Sequence, residues 1–263
     1  MAKRLKEWRF IPIEVRNGYW NMALDEAILN AVIEKESPNT LRFFKWEPST
    51  VSVGRNQSLS NEVNTNAAIE KGFNIVRRIT GGGAVFHDNA REITYSIVCP
   101  IKFLEGLNAK KVIEQFELLE AGIIVGLTKY GLQPEKGVIH CPAIFLDGKK
   151  FSGNAQARKK GYLLQHGTIL LELDPELMYS VLKAPHNVGK SKMVNSVFAK
   201  CIGIKEQLNY YNEENLLLSL KDGFETTLGI KLKEGTYTDY ELELAEELVL
   251  KKYSNIEWLK KYE

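Results

Sequence analysis

Arg77-Arg78-Ile79-Thr80-Gly81-Gly82-Gly83-Ala84-Val85-Phe86-His87-Asp88 joins two arginines, three consecutive glycines and a His-Asp pair in one short stretch. Ahead of it, Gly72–Val76 is rich in β-formers and reads as a short strand. The three consecutive glycines open backbone angles closed to other residues and leave no side chain between main chain and a ligand. Arg77 and Arg78 are fixed-charge donors that can fork onto a carboxylate or phosphate. Glycines alone would make this a surface turn; two arginines before it and a His-Asp pair after it point to a binding loop. The spacing matches neither Gly-x-x-x-x-Gly-Lys-Ser/Thr nor Gly-x-Gly-x-x-Gly, so neither nucleotide motif is present.

Outward from the loop, strand and helix periods alternate. Trp8–Ile13 alternates as a strand, and Ala23, Leu24, Ala27, Ile28, Ala31 and Val32 recur at helical spacing, with Asn21 the expected cap. Leu41–Trp46 and Thr50–Val53 read as strands about the turn Glu47-Pro48-Ser49, residues 61–71 as a short helix, and Ile93–Val98 as a strand. Val112, Phe116, Leu119, Ile123, Ile124 and Leu127 predict a long helix over 109–130. Beyond it come a strand at Ala143–Leu146, a turn at Asp147-Gly148, a strand at Thr168–Leu173 and a helix starting at Pro175. Residues 213–226 and 238–252 read as surface helices. Strands in local groups broken by helices predict an α+β fold, a mixed sheet covered by helices on one side. No Pro/Gly/Ser-rich linker divides residues 1–263, so one catalytic domain is expected, with 236–263 at most a helical appendage packed back onto it.

Composition narrows the function classes. The 263 residues (29.9 kDa) are 44% hydrophobic and 26% charged, enough for a sizeable core. A formal charge of +2 gives no electrostatic case for nucleic acid. Cys99, Cys141 and Cys201, odd in number and far apart, form no disulfide framework and fit a reducing cytoplasm. The basic N-terminus has no apolar run behind it, and no apolar stretch approaches membrane-spanning length, so neither secretion nor a membrane is expected.

The 77–88 stretch resembles the signature Arg-Arg-x-Thr/Ser-Gly-Gly-x-Ala-Val-x-His-Asp of the lipoate–protein ligase and octanoyltransferase family. Asn21-Met22-Ala23-Leu24-Asp25-Glu26-Ala27, Val51-Ser52-Val53-Gly54-Arg55-Asn56-Gln57, Lys150-Phe151-Ser152-Gly153-Asn154-Ala155-Gln156 and Gln165-His166-Gly167-Thr168 are similar to further family motifs, in family order. Together they cover roughly residues 8–200, and the tail around Trp258 is also similar. The resemblance implies a fold shared with the biotin protein ligases and an activity in protein lipoylation.

Lys150 follows a turn and precedes small residues that permit close backbone approach. An ammonium is a compact point charge suited to an oxyanion developing in acyl transfer. By residue type alone, Lys149 and Lys150 are equally two solvated turn charges; the resemblance places Lys150 at the acyl carbonyl. It also implies binding roles for Arg77, Arg78, Gly81, Gly82, Gly83, Val85, His87, Gly153, Asn154, His166, Gly167 and Thr168. Val85, Phe86 and Tyr95 are candidate walls of a narrow apolar acyl tunnel. No His/Cys/Asp spacing suggests a metal site.

Cys99 and Cys201 lie in apolar strand-like contexts, where free cysteine acts as a small buried hydrophobe. Cys141 lies on the loop before the strand leading to Lys150 and follows His140; either cation would lower its pKa towards a useful nucleophile. An incidental buried thiol is the alternative. ATP-dependent ligases of the family carry Asn-Asp before that strand, where this chain has Pro142-Ala143, and alanine cannot hold Mg²⁺. One octanoyltransferase class carries its cysteine just before His-Gly, where Leu163 and Leu164 stand here; another carries it on the loop of Cys141, with an acidic residue near position 143 that this chain lacks.

The expected function is transfer of an octanoyl or lipoyl group to a lysine of a lipoyl carrier domain, such as a glycine cleavage H-like protein or a 2-oxoacid dehydrogenase E2 component. The expected route is an acyl-Cys141 intermediate drawn from octanoylated acyl carrier protein, with no cofactor. The alternative is a ligase acting through lipoyl-AMP from free lipoate, ATP and Mg²⁺, with Asp147 or Asp88 holding the metal. A non-catalytic carrier-domain binder is a third reading. The particular carrier, the oligomeric state and any need for an accessory domain are not written in the sequence.

Overall fold

The computed structural model describes residues 6–137, 143–185 and 187–263. The chain runs through β1 (Lys6–Arg16), α1 (Gly18–Glu34), β2 (Thr40–Trp46), β3 (Thr50–Val53), α2 (Leu59–Glu62) and α3 (Thr65–Glu70). It continues through β4 (Asn74–Arg77), β5 (Val85–His87), β6 (Glu92–Pro100), α4 (Ile101–Glu105), α5 (Val112–Lys129) and β7 (Pro134–Lys136). Then follow β8 (Ala143–Leu146), β9 (Lys149–Lys159), β10 (Tyr162–Leu170), α6 (Pro175–Val181) and α7 (Lys190–Lys200). A last group comprises α8 (Glu213–Leu228), β11 (Ile230–Glu234), α9 (Asp239–Leu248), a π-helical turn at Val249–Tyr253 and α10 (Ile256–Leu259).

Eight strands form one mixed sheet in the order β11-β1-β2-β6-β10-β9-β8-β7, parallel from β11 to β2 and antiparallel from β2 onward. A smaller sheet of order β4-β3-β5 stands beside it. Helices cover the large sheet on both faces, not one. Successive side chains on a strand point to opposite faces. Accordingly Ile93, Tyr95, Ile97 and Cys99 of β6 pack with Leu119 and Ile123 of α5 and Leu220 of α8, while Val98 and Leu164 pack with Ile28, Leu29 and Val32 of α1. Both faces of β6 are thus covered, but the second carries Glu92, Thr94 and Ser96 beside Val98, so its cover does not show as an apolar run and a one-sided reading misses it.

Four local expectations change. The cap of α1 is Asn17, which accepts from Trp20 N. Asn21 lies within the helix, wholly buried, donating to the carbonyls of Arg16 and Lys45 and accepting from Arg42. Residues 61–71 split into α2 and α3, and the strand expected at 168–173 is the end of β10, which begins at Tyr162. Residues 238–252 form α9 and pass into the π-helical turn.

The C-terminal elements pack onto α1 and β4. The buried Arg9 guanidinium donates to Glu241 at 2.7 Å, Tyr253 donates to Glu26 at 2.6 Å, and Lys252 pairs with the same carboxylate at 2.7 Å. Among the described residues no helix is long and apolar enough to cross a membrane.

Candidate active site

The two sheets face each other across a cavity of about 510 Å³, inside the range of small-ligand sites. The glycine loop and β5 form one wall, and β9 and β10 form the other. Helix α6 and the end of α7 close a side through Met178, Leu182 and Val197.

Arg78 builds the glycine-loop wall. Its Nη2 donates to the Gly81 and Gly83 carbonyls at 2.8 and 2.7 Å, holding the turn from inside. Gly82 sits at φ +93°, where a side chain would be strained, so a valine there would distort the loop rather than test the cavity cleanly. The two other donor groups of Arg78 start parallel chains. Nε donates to Thr80 Oγ1 (3.0 Å), which lies 2.7 Å from His166 Nε2, and His166 Nδ1 meets Asp25 Oδ2 at 2.9 Å. Nη1 donates to Ser52 Oγ (3.0 Å), which lies 2.9 Å from His87 Nε2, and His87 Nδ1 meets Glu92 Oε1 at 2.7 Å. Each carboxylate accepts a hydrogen bond from Nδ1–H, so each Nε2 is left to accept from its hydroxyl, which sets the tautomer in each pair. Burial pushes His166 below the ordinary imidazole value despite Asp25, which keeps it neutral. Burial likewise pushes Arg78 down to about 10, leaving it charged at neutral pH.

Trp46 stacks on the His87 ring at 4.0 Å and donates to Thr94 Oγ1, which in turn donates to Glu92. Two histidines, held rigid and paired with carboxylates, make shaped walls rather than free bases.

The opposite wall carries the lysine. On β9, Lys150 lines the cavity and its ammonium lies over Gly153; a Cβ on that glycine would stand 3.3 Å from Nζ. Gly167 on β10 admits the Asn154 side chain, whose Oδ1 would be 1.9 Å from any Cβ there. Asn154 is fixed in polarity, accepting from Tyr95 at 2.6 Å and donating to Glu120 at 2.9 Å. Burial raises Glu120 to about 7, against the opposing hydrogen bond from Asn154 and the charges of Lys136 and Lys150.

The cavity therefore gathers Arg78, Gly82, Gly83, Val85, His87, Lys150, Gly153, Asn154, His166, Gly167 and Thr168. Two other candidates point elsewhere. Gly81 does not line the cavity but supplies a carbonyl to Arg78. Arg77 is fully buried and donates to the carbonyls of Gly54, Arg55, Gln57, Trp258 and Leu259, so its charge pins the C-terminus. Tyr95 is not a wall: the period of two on β6 turns it to the α5 side and gives the cavity Thr94. Cys201 also departs from expectation. It caps the C-terminal end of α7, bridges to Lys150 through the backbone and lines the cavity. Burial raises its thiol pKa, with Lys150 and Lys200 pulling the other way. Cys99 is buried in β6. Cys141 and His140 lie outside the described residues.

Sequence reasoning missed Asp25, Ser52, Thr80 and Glu92 as parts of the site. Asp25 had a signal: it stands on the apolar stripe of α1, three residues from both Met22 and Ile28, where a carboxylate requires a partner.

Residues 17–223 match the lipoyl protein ligase A/B catalytic domain. The chain belongs to that family. It is 34% identical to octanoyltransferase LipM of Brevibacillus brevis over 276 residues, covering 97% of this chain and 99% of that one. LipM of Geobacillus kaustophilus is also 34% identical, over 98% of this chain and 99% of that protein. Among solved structures, the bipartite lipoate protein ligase of Thermoplasma acidophilum, described with its E2 lipoyl domain, superposes with a TM-score of 0.84 at 27% identity, covering 98% of both chains. A lipoate–protein ligase A bound with ATP superposes at 0.81, also at 27% identity, over 98% of this chain and 100% of that one. The mixed sheet with flanking helices is the fold of these ligases.

Proposed function

We propose that this protein is an octanoyltransferase that moves an octanoyl group from an acyl carrier protein thioester to a lysine of a lipoyl carrier domain. The observation that carries this reading is the Lys150 ammonium lying over Gly153 on the wall of a largely apolar cavity. Full-length similarity to proteins named octanoyltransferase LipM supports the same choice of reaction.

In the proposed reaction the Cys141 thiolate attacks the thioester carbonyl, forming an acyl-cysteine and releasing the carrier thiol. The amine of the carrier-domain lysine then attacks that acyl-cysteine; an amide forms, the thiolate leaves and the amine loses a proton. Lys150 stabilises the oxyanion in both halves, and the preorganised wall around Arg78 holds the chain at no cost at the moment of reaction. A thioester is already activated, so neither half calls for ATP.

Against the ligase alternative stand the positions of the two aspartates named for its metal. Asp88 is taken by Arg91 and by Ala90 N, and neither it nor Asp147 lines the cavity. Glu92, which does, holds His87 and Thr94.

The deciding experiment is intact mass of a lipoyl carrier domain incubated with the enzyme and octanoyl-carrier-protein without ATP, against free lipoate with Mg-ATP. Octanoylation in the first arm is expected; acylation only in the second overturns the transferase reading, and acylation in neither leaves the non-catalytic binder. Peptide mapping of the enzyme treated with donor alone should place a hydroxylamine-labile octanoyl group on Cys141. Cys201 lines the cavity, so an adduct mapping there would displace Cys141 as nucleophile.

A further inference from the structure

Helix α7 has two unlike faces. Its inner side supplies Val197 to the cavity wall and is followed by Cys201, backbone-bridged to Lys150. Its outer side exposes Lys192, Asn195, Phe198 and Lys200. Around it the charge is one-signed: residues 182–205 contain Lys183, Lys190, Lys192, Lys200 and Lys205 and no aspartate or glutamate, in a chain whose totals, these lysines included, are 35 basic and 33 acidic residues. Lys190 and Lys205 reach Glu176 and Glu172 on neighbouring segments, while among the described residues no carboxylate lies within salt-bridge distance of Lys192 or Lys200. Phe198, about half exposed, adds apolar surface to this basic face.

We infer that the outer face of α7 is the docking surface for the protein that delivers the acyl group, an acidic carrier bearing its thioester on a phosphopantetheine arm. The inference rests on the transferase reading. A donor whose acyl chain lies in the cavity and whose thioester lies at Lys150 must leave its protein body outside, and α7, which lines the cavity through Val197 and leads into Cys201 beside Lys150, turns a basic face to that exterior. Charge complementarity selects the donor over the acceptor. The donor arm brings a phosphodiester, whereas the acceptor brings a lysine amine, which gains nothing from a rim of lysines. A one-signed patch beside the mouth of a site raises the rate of encounter with an oppositely charged partner, and salt screens it.

The test is steady-state transfer by the full-length protein bearing Lys192→Glu and Lys200→Glu, with two donors: octanoyl-carrier-protein, and octanoyl-pantetheine, which has neither the phosphate nor the protein. The expected result is a KM at least tenfold higher for the carrier protein, an unchanged kcat, and a weaker dependence of kcat/KM on salt. Kinetics with octanoyl-pantetheine and the KM for the lipoyl domain should stay at wild-type values. The Lys192→Arg, Lys200→Arg protein should behave as wild type. An unchanged KM for the carrier protein overturns the inference, as does an equal loss with both donors, which would place the lysines in the site itself. A rise confined to the KM for the lipoyl domain would reassign the surface to the acceptor. Absence of transfer by the wild-type protein from either donor would instead sink the transferase reading.

Discussion

Arg78 organises the site more than any residue that touches substrate in the proposed reaction, and its donors explain why two histidines on different strands end in matching environments. In the proposed reaction Lys150 is the residue on which the chemistry turns. Lys150→Ala should lower kcat/KM for octanoyl transfer by about 10²–10³, the usual loss for one oxyanion donor. A variant within a few-fold of wild type would shift the role to Lys149. Glu120 offers a separate handle. Its folded pKa of about 7 lies above the ordinary 4.5, so the folded chain holds this proton more tightly than the unfolded one. Its contribution to stability is therefore complete below the unfolded value and lost as pH rises through the folded value. Relative to Glu120→Gln, which does not titrate, the wild type should lose about 3 kcal/mol of stability between pH 4.5 and 8. Urea denaturation of both proteins across that range measures it; a constant difference would mean that Glu120 is not held protonated.

At the scale of elements, most strands and long helices were legible because their apolar periods are set by burial on one side. The exceptions have physical causes. The both-sided cover of the sheet was hidden because α1 packs through Ile28, Leu29 and Val32 onto strand positions that also look like ordinary β-formers. The Arg77 role was hidden because an arginine feeding backbone carbonyls has the same spelling as one awaiting an anion. Nothing in a helical period announces that α5 and α8 meet at backbone distance. They do so through Gly122, Gly126 and Gly223: a Cβ on Gly223 would lie 2.2 Å from the Gly122 carbonyl oxygen and 2.4 Å from Gly126 N. Backbone cannot move aside as a flexible side chain can. Gly223→Ala should therefore destabilise the protein by about 1–3 kcal/mol through overpacking, read as a lower urea midpoint at unchanged slope. A neutral substitution would show that the helices can separate freely.

Across the whole molecule, residues 255–263 are tied to Arg77, the last residue of β4, just ahead of the loop that lines the cavity. Trp258 Nε1 donates to the Arg77 carbonyl at 2.8 Å, while the Arg77 guanidinium donates to Leu259 O at 2.6 Å. Deleting residues 255–263 should leave a buried charge short of acceptors, costing about 1–3 kcal/mol. Calorimetry should then show a melting temperature lower by roughly 2–12 °C. An unchanged melting temperature would mean that the C-terminal turn contributes nothing to holding β4. The seam between the two sheets has a different consequence. Because the cavity is walled by both, an acyl chain seated there touches β5 on one side and β9 and β10 on the other, and acts as mortar between them. Any local opening that parts the small sheet from the large one must then first release the ligand, so binding raises its free energy by RT ln(1 + [L]/Kd). Amide hydrogens of β3, β4 and β5 should exchange with deuterium more slowly once an octanoyl ligand is added. At a hundredfold excess over Kd the slowing should approach about a hundredfold. The small sheet would then report occupancy of a site whose Lys150 belongs to the other sheet.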